Sequence, residues 1–170
     1  MADGILKVGQ ITNSAGSGNI TIGSGVIVNV NRPAFSAVAS GSQTIADATN
    51  TILNFETETF DTDEAYDGTN KFTVPAGQGG KYFFRANIRL DSMYDEDEIQ
   101  LTFYKNGSQD STTITFWRVA KDNISVAFGI TGLIELAATD YVQVVTYQNR
   151  GSSRTTTAAA TAFSGYKLGA

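Results

Sequence analysis

Apolar side chains in the central part of this chain recur at every second position. Tyr82, Phe84, Ala86, Ile88 and Leu90 form one such set; Ile99, Leu101 and Phe103 form another, and Ile124, Val126, Phe128 and Ile130 a third. Successive side chains of a strand point to opposite faces, so each set predicts a strand with one buried face. Clusters of Gly, Asn and Asp interrupt the runs at intervals of roughly ten residues from Thr51 onward, which is the pattern of a β-sandwich. No segment carries helical periodicity, and the expected fold class is all-β. Between the second and third runs, Asn106-Gly107 suits the two positive φ values of a type I′ hairpin turn.

At 170 residues the chain is long enough for one domain with a real core. Its 12 basic and 17 acidic residues give a net charge of −5, which repels a phosphate backbone and argues against nucleic acid as a partner. No stretch approaches the eighteen consecutive apolar residues of a membrane span, and no membrane partner is expected. The opening MADGILKVGQ lacks the charged-then-apolar layout of a secretory signal, so the expectation is a soluble chain made without Sec-type export. Histidine and cysteine are absent. That removes Ser-His-Asp and Cys-His nucleophiles, Cys/His zinc sites and disulfides, leaving carboxylates, Lys, Tyr, Ser and Thr for any chemistry.

A spaced aromatic series runs Phe55, Asp61, Tyr66, Phe72, Gly80, Tyr82 and Phe84, followed by KNGS after the second strand and TAFSGYKLG at the end. This order resembles the globular head of the complement C1q and tumour necrosis factor superfamily over about residues 32 to 169. It departs from the family spacing by one residue fewer between Tyr66 and Phe72 and two more between Phe72 and Gly80. Ala86 stands where an aromatic is usual. The resemblance implies a jelly-roll β-sandwich of about ten strands, occupying residues 32–170, that assembles as a homotrimer and binds rather than catalyses.

Several apolar residues sit out of phase with the core sets: Phe83, Trp117, Val119, Tyr141, Val145 and Tyr147, while Phe163 and Tyr166 take opposite phases of the last strand. Two readings are open. One is a twisted sandwich with imperfect phase; the other is a symmetric interface, because a second apolar face needs a partner. On the second reading the interface residues are Phe83, Trp117, Tyr147, Phe163 and Tyr166, and the resemblance implies three copies around one axis. Trp117 and Tyr147 could also stack on sugar rings if exposed, which makes a host surface glycan a further candidate partner.

Two acidic clusters stand out, Glu56 to Asp67 and Asp91 to Glu98. In some members of the resembled family the second position is a calcium-binding loop, and oxygen-only ligands suit that ion, so Asp91, Asp95 and Asp97 are the calcium candidates. The loop lacks EF-hand spacing, and a solvated acidic loop is the competing reading, with no cofactor at all. Paired carboxylates are also what glycoside hydrolysis requires, but nearness in sequence establishes neither their separation nor a cleft. No catalytic residue is assigned.

Residues 1–31 differ in texture, being rich in Gly, Ser and Asn around three β-prone pieces. Ile5, Val8, Ile11, Ile20, Ile22, Val26 and Val28 give them the capacity to pair with another chain as an attachment arm. The ILKV start, the Asn-Ser-Ala-Gly step and the ITIG piece look like the opening of many phage structural proteins. The run TTTAAATA at residues 155 to 162 reads as a surface loop leading into a β-edge. Taken together, the expectation is a non-enzymatic bacteriophage virion structural protein, assembled in the host cytoplasm: a trimeric capsid decoration or cement protein attached by its arm to the major capsid protein or another virion protein. The alternatives are a tail-fibre or receptor-binding tip and a bacterial C1q-like lectin or protein-binding module.

Overall fold

The computed structural model describes residues 32–168. The attachment residues Ile5, Val8, Ile11, Ile20, Ile22, Val26 and Val28 lie outside the described residues. Two sheets of five strands make up the fold. In the first sheet the order is β4 (Thr57–Asp61), β1 (Ala34–Val38), β12 (Ala162–Lys167), β6 (Gly80–Met93) and β9 (Ile124–Leu136). The second runs β3 (Thr51–Ile52), β10 (Tyr141–Gln148), β7 (Glu98–Lys105) and β8 (Ser108–Arg118), with β5 (Lys71–Thr73) also paired to β10. A short ladder of β2 (Thr44–Ile45) with β11 (Arg154–Thr155) lies beside them. Apart from the β7–β8 hairpin, strands adjacent in space are not consecutive in sequence, which is the mark of a jelly roll rather than a meander.

The period-two sets define the core. Tyr82, Phe84, Ala86, Ile88 and Leu90 are all buried, as are Ile99, Leu101 and Phe103, while Ile124 and Phe128 are only partly covered on the outer strand β9. Phe35 stacks on Tyr66 and on Phe72 at centroid separations of 5.0 and 4.9 Å, and Phe84 meets Phe163 at 5.9 Å. The spaced aromatic series is thus one continuous cluster between the sheets. Such pairs add about 0.5–1.5 kcal/mol each beyond their area burial. Asp61 serves the same cluster indirectly: its carboxylate accepts the Tyr66 N–H at 2.7 Å and holds the turn that delivers the ring. The Tyr66 hydroxyl donates to the Phe55 carbonyl at 3.0 Å, and burial, reinforced by Asp67, pushes its ionisation far above the ordinary range.

Phe163 belongs to this cluster and not to an interface. It is fully buried, with its ring edge against Phe35. Alternation along β12 had already separated it from Tyr166, and only one of the two phases faces outward. Gly165 also points inward, where a Cβ would collide with the Phe84 ring, so glycine is what lets β12 lie beside β6 at this point. Val119 and Val145 are buried as well, although both sit out of phase with the core sets.

Asn106-Gly107 closes the β7–β8 hairpin with φ of 52° and 78°, as the type I′ turn requires. The Thr/Ala-rich segment does not lead to an edge. Thr156 bridges to Leu90, residues 158–160 form a single 3-10 turn, and the chain then enters β12, which is central in its sheet.

Candidate assembly interface

Outward-facing positions of the first sheet fall into two cross-strand rows. Ala34, Tyr166, Phe83 and Leu133 pair in register across β1, β12, β6 and β9. The adjacent row is Phe60, Ser36, Ser164, Arg85 and Thr131, crossing all five strands. Phe83 and Tyr166 touch at a centroid separation of 5.4 Å. Leu133 is 64 % exposed, Phe60 50 % and Tyr166 47 %. Side chains this large in neighbouring rows make a contiguous apolar surface, and such surfaces mark a site of contact. Arg85 lies among them, exposed and without an ion pair among the described residues.

Of the five residues expected at an interface, the structure brings Phe83 and Tyr166 together on this face. Tyr147 and Trp117 belong to the second sheet. Tyr147 shares an outer row with Gln100 and Phe116, and Trp117, half-exposed, pairs with the inward-facing Ile99 on the edge strand β8. Phe60 and Leu133 went unrecognised in the sequence. Leu133 carried a usable signal, since it is out of phase with Ile130, Ile134 and Leu136 on its own strand. Phe60 carried none, because no residue of β4 is buried and the strand shows no alternation.

The calcium candidates are not gathered into one ligand set. Asp91 accepts hydrogen bonds from the Ser125 and Thr157 hydroxyls at 2.7 and 2.8 Å and pairs with Arg89 at 3.3 Å. The hydroxyl bonds, above all, hold its ionisation below the usual carboxylate range. Asp97 accepts the Tyr94 N–H at 2.7 Å and faces Arg150, whose guanidinium lies 3.9 Å from the Tyr94 ring centroid. At Asp95 it is the backbone N–H that is engaged, donating to Asp122. Among the described residues no group of three or more Asp or Glu side chains is placed to hold a metal ion. The loop's acids fasten strands and turns to one another.

At the opposite end of the second sheet, Asp140 accepts from the Asn106 amide and the Ala137 N–H, each at 2.8 Å, and pairs with Lys105 at 2.9 Å. These bonds pull its ionisation down to about 2. The β7–β8 hairpin turn is thereby tied to the turn between β9 and β10.

Comparison with known proteins agrees with this architecture. The globular domain of zebrafish complement 1qA superposes with a TM-score of 0.53 at 16 % identity, covering 81 % of this chain and 98 % of that one. Murine APRIL at pH 5.0 superposes with a TM-score of 0.59 at 12 % identity, covering 81 % of this chain and all of the other. At these identities the likeness is one of fold. No curated relative matches by sequence. Domains of this kind are typically non-enzymatic binding or structural modules and commonly form homotrimers. The family profile described as the C1q domain matches residues 34–168, and the chain belongs to that family.

Proposed function

We propose that this chain is a non-enzymatic bacteriophage virion structural protein, a homotrimer of C1q-like heads that decorates and cements the capsid through residues 1–31. The observation that carries the assembly step is the exposed apolar surface around Phe60, Phe83, Leu133 and Tyr166. A single chain leaves it in water, whereas a neighbouring copy buries it. At roughly 25 cal/mol per Å² of apolar area removed from water, a few such side chains per contact supply several kcal/mol. The part of the face over β1, β12 and β6 and the β9 edge that carries Leu133 lie at different places on the first sheet, so contact between them is heterologous and closes into a ring when the rotation allows.

Attachment rests on residues 1–31, whose three Ile/Val pieces can add strands to another protein's sheet edge and whose opening is similar to that of phage structural proteins. A trimer of small heads with such arms fits over a junction between capsid subunits and ties them together. Deleting residues 2–29 is expected to leave a folded trimer that no longer binds particles prepared without the protein. Full occupancy by the truncated protein would place attachment on the head instead. Binding of the full chain to tails rather than heads would favour the tail-fibre tip.

A further inference from the structure

We propose that Arg85 of one copy is neutralised by Glu135 of the next, so that the ring of three is locked by a charge pair set beside its apolar contact. This rests on the trimeric reading above. Ser36, Phe60, Phe83, Arg85 and Tyr166 line a hollow of about 380 Å³ on the first sheet's outer face. The hollow is centred on β1, β12 and β6. The most exposed of the large apolar side chains described, Leu133, projects from the edge strand β9 of the same sheet. A hollow on the face and a knob at the edge are unlike patches, which is what a heterologous contact between identical chains requires.

Seating a neighbour on the hollow takes Arg85 out of water. An unpaired charge in that position costs several kcal/mol, so the contact needs a carboxylate from the incoming chain. Most acids nearby are already engaged: Asp91 with Ser125, Thr157 and Arg89, Glu96 with Arg118, Asp97 with Arg150, Asp140 with Lys105. Glu135 is not. It stands two positions beyond Leu133 on the same side of β9, about 7 Å along the strand, and although Lys81 is directly opposite, the two form no ion pair. Glu58 is excluded by the shift of register in β4, which sets it across from the inward-facing Ala37 rather than on the face carrying Phe60. Glu64 and Asp95 are in loops. A copy that offers Leu133 to the hollow therefore also brings Glu135 towards Arg85.

Charge exchange tests the pairing on the full chain, with mass measured by light scattering after gel filtration. Arg85→Glu and Glu135→Arg are each expected to raise the trimer dissociation constant at least about 100-fold, and the double variant to recover to within about tenfold of the wild type. Mixing the two single variants is expected not to restore assembly, because any ring of three then holds one contact between like charges. A twofold contact has no such frustration, and assembly of the mixture into 1:1 pairs would overturn the threefold arrangement. Wild-type protein that runs as a monomer removes the trimeric reading itself. Wild-type trimer with charge-insensitive single variants, or with no recovery in the double variant, removes only the charge pair. If either reversal prevents folding, Arg85→Gln, Glu135→Gln and their combination close a double-mutant cycle in which absence of coupling has the same meaning.

Discussion

The two outer faces of this sandwich carry similar apolar content and meet different fates. Across the second sheet, Ile52, Val145, Thr102 and Ile114 pair in one row, and at its centre Val145 is 1 % and Thr102 4 % exposed in a single chain. On the first sheet, Tyr166, Phe83 and Leu133 also pair in one row, but Tyr166 and Leu133 keep about half or more of their surface in water. The centre of the second sheet's row is covered within one chain, although Ile52 at its edge and Phe116 in the next row stay exposed. On the first sheet the exposed side chains sit in the row itself. Apolar residues out of phase with the core therefore do not by themselves announce an interface. What matters is whether the same chain already covers them.

The contrast can be broken most forcefully at Val145. Val145→Asp buries a charge with no partner and is expected to cost about 4 kcal/mol or more, enough to leave a marginal domain unfolded. Denaturant unfolding measures it; a loss under about 1 kcal/mol would mean that Val145 is not covered by its own chain. The matching substitution on the first face, Leu133→Asp, is expected to leave the fold intact, with the subunit's stability changed by no more than about 0.5 kcal/mol. It should nevertheless shift the mass from trimer to monomer. A variant that remains trimeric places the contact elsewhere.

A smaller effect separates the intrachain fastenings of the second sheet from the neighbour contact proposed for the first. Because the folded chain lowers the ionisation of Asp140 to about 2 from a usual value of 3.8, its contribution is complete above about pH 4 and fades as the pH falls through 2. Asp140→Asn should be less stable than the wild type at neutral pH and show a flatter loss of stability between pH 4 and 2. Unchanged acid unfolding would mean that the tie between the two turns contributes nothing.

Much of the fold was legible because its signals are local. The alternation in β6, β7 and β9 reports which residues share a side, Asn106-Gly107 specifies a turn by backbone sterics, and the series from Phe55 to Phe84 marks an aromatic cluster. Interface reading was less successful, and Phe163 shows why. Its neighbourhood in sequence resembles that of Tyr166, yet it packs on Phe35, which lies on the far side of the chain in sequence and next door in space. The acidic loop shows the same dependence on distant partners. Asp91 and Asp97 lie six residues apart, but their partners, Ser125, Thr157 and Arg150, come from other elements and draw the carboxylates to separate tasks.

By itself the sequence determined the all-β class, the sides of the long strands, the hairpin at Asn106-Gly107 and membership of the C1q-like group, since each follows from side-chain periodicity, from backbone conformational preference or from an ordered aromatic spacing. Only the tertiary structure decided that Phe60 and Leu133 share a surface with Phe83 and Tyr166, that Val145 is covered, and that Arg85 stands without a counter-charge among the described residues. Periodicity states the side of a strand to which a residue points. What lies on that side is set by strands brought in from distant parts of the chain, and coverage, pairing and exposure are properties of that packing.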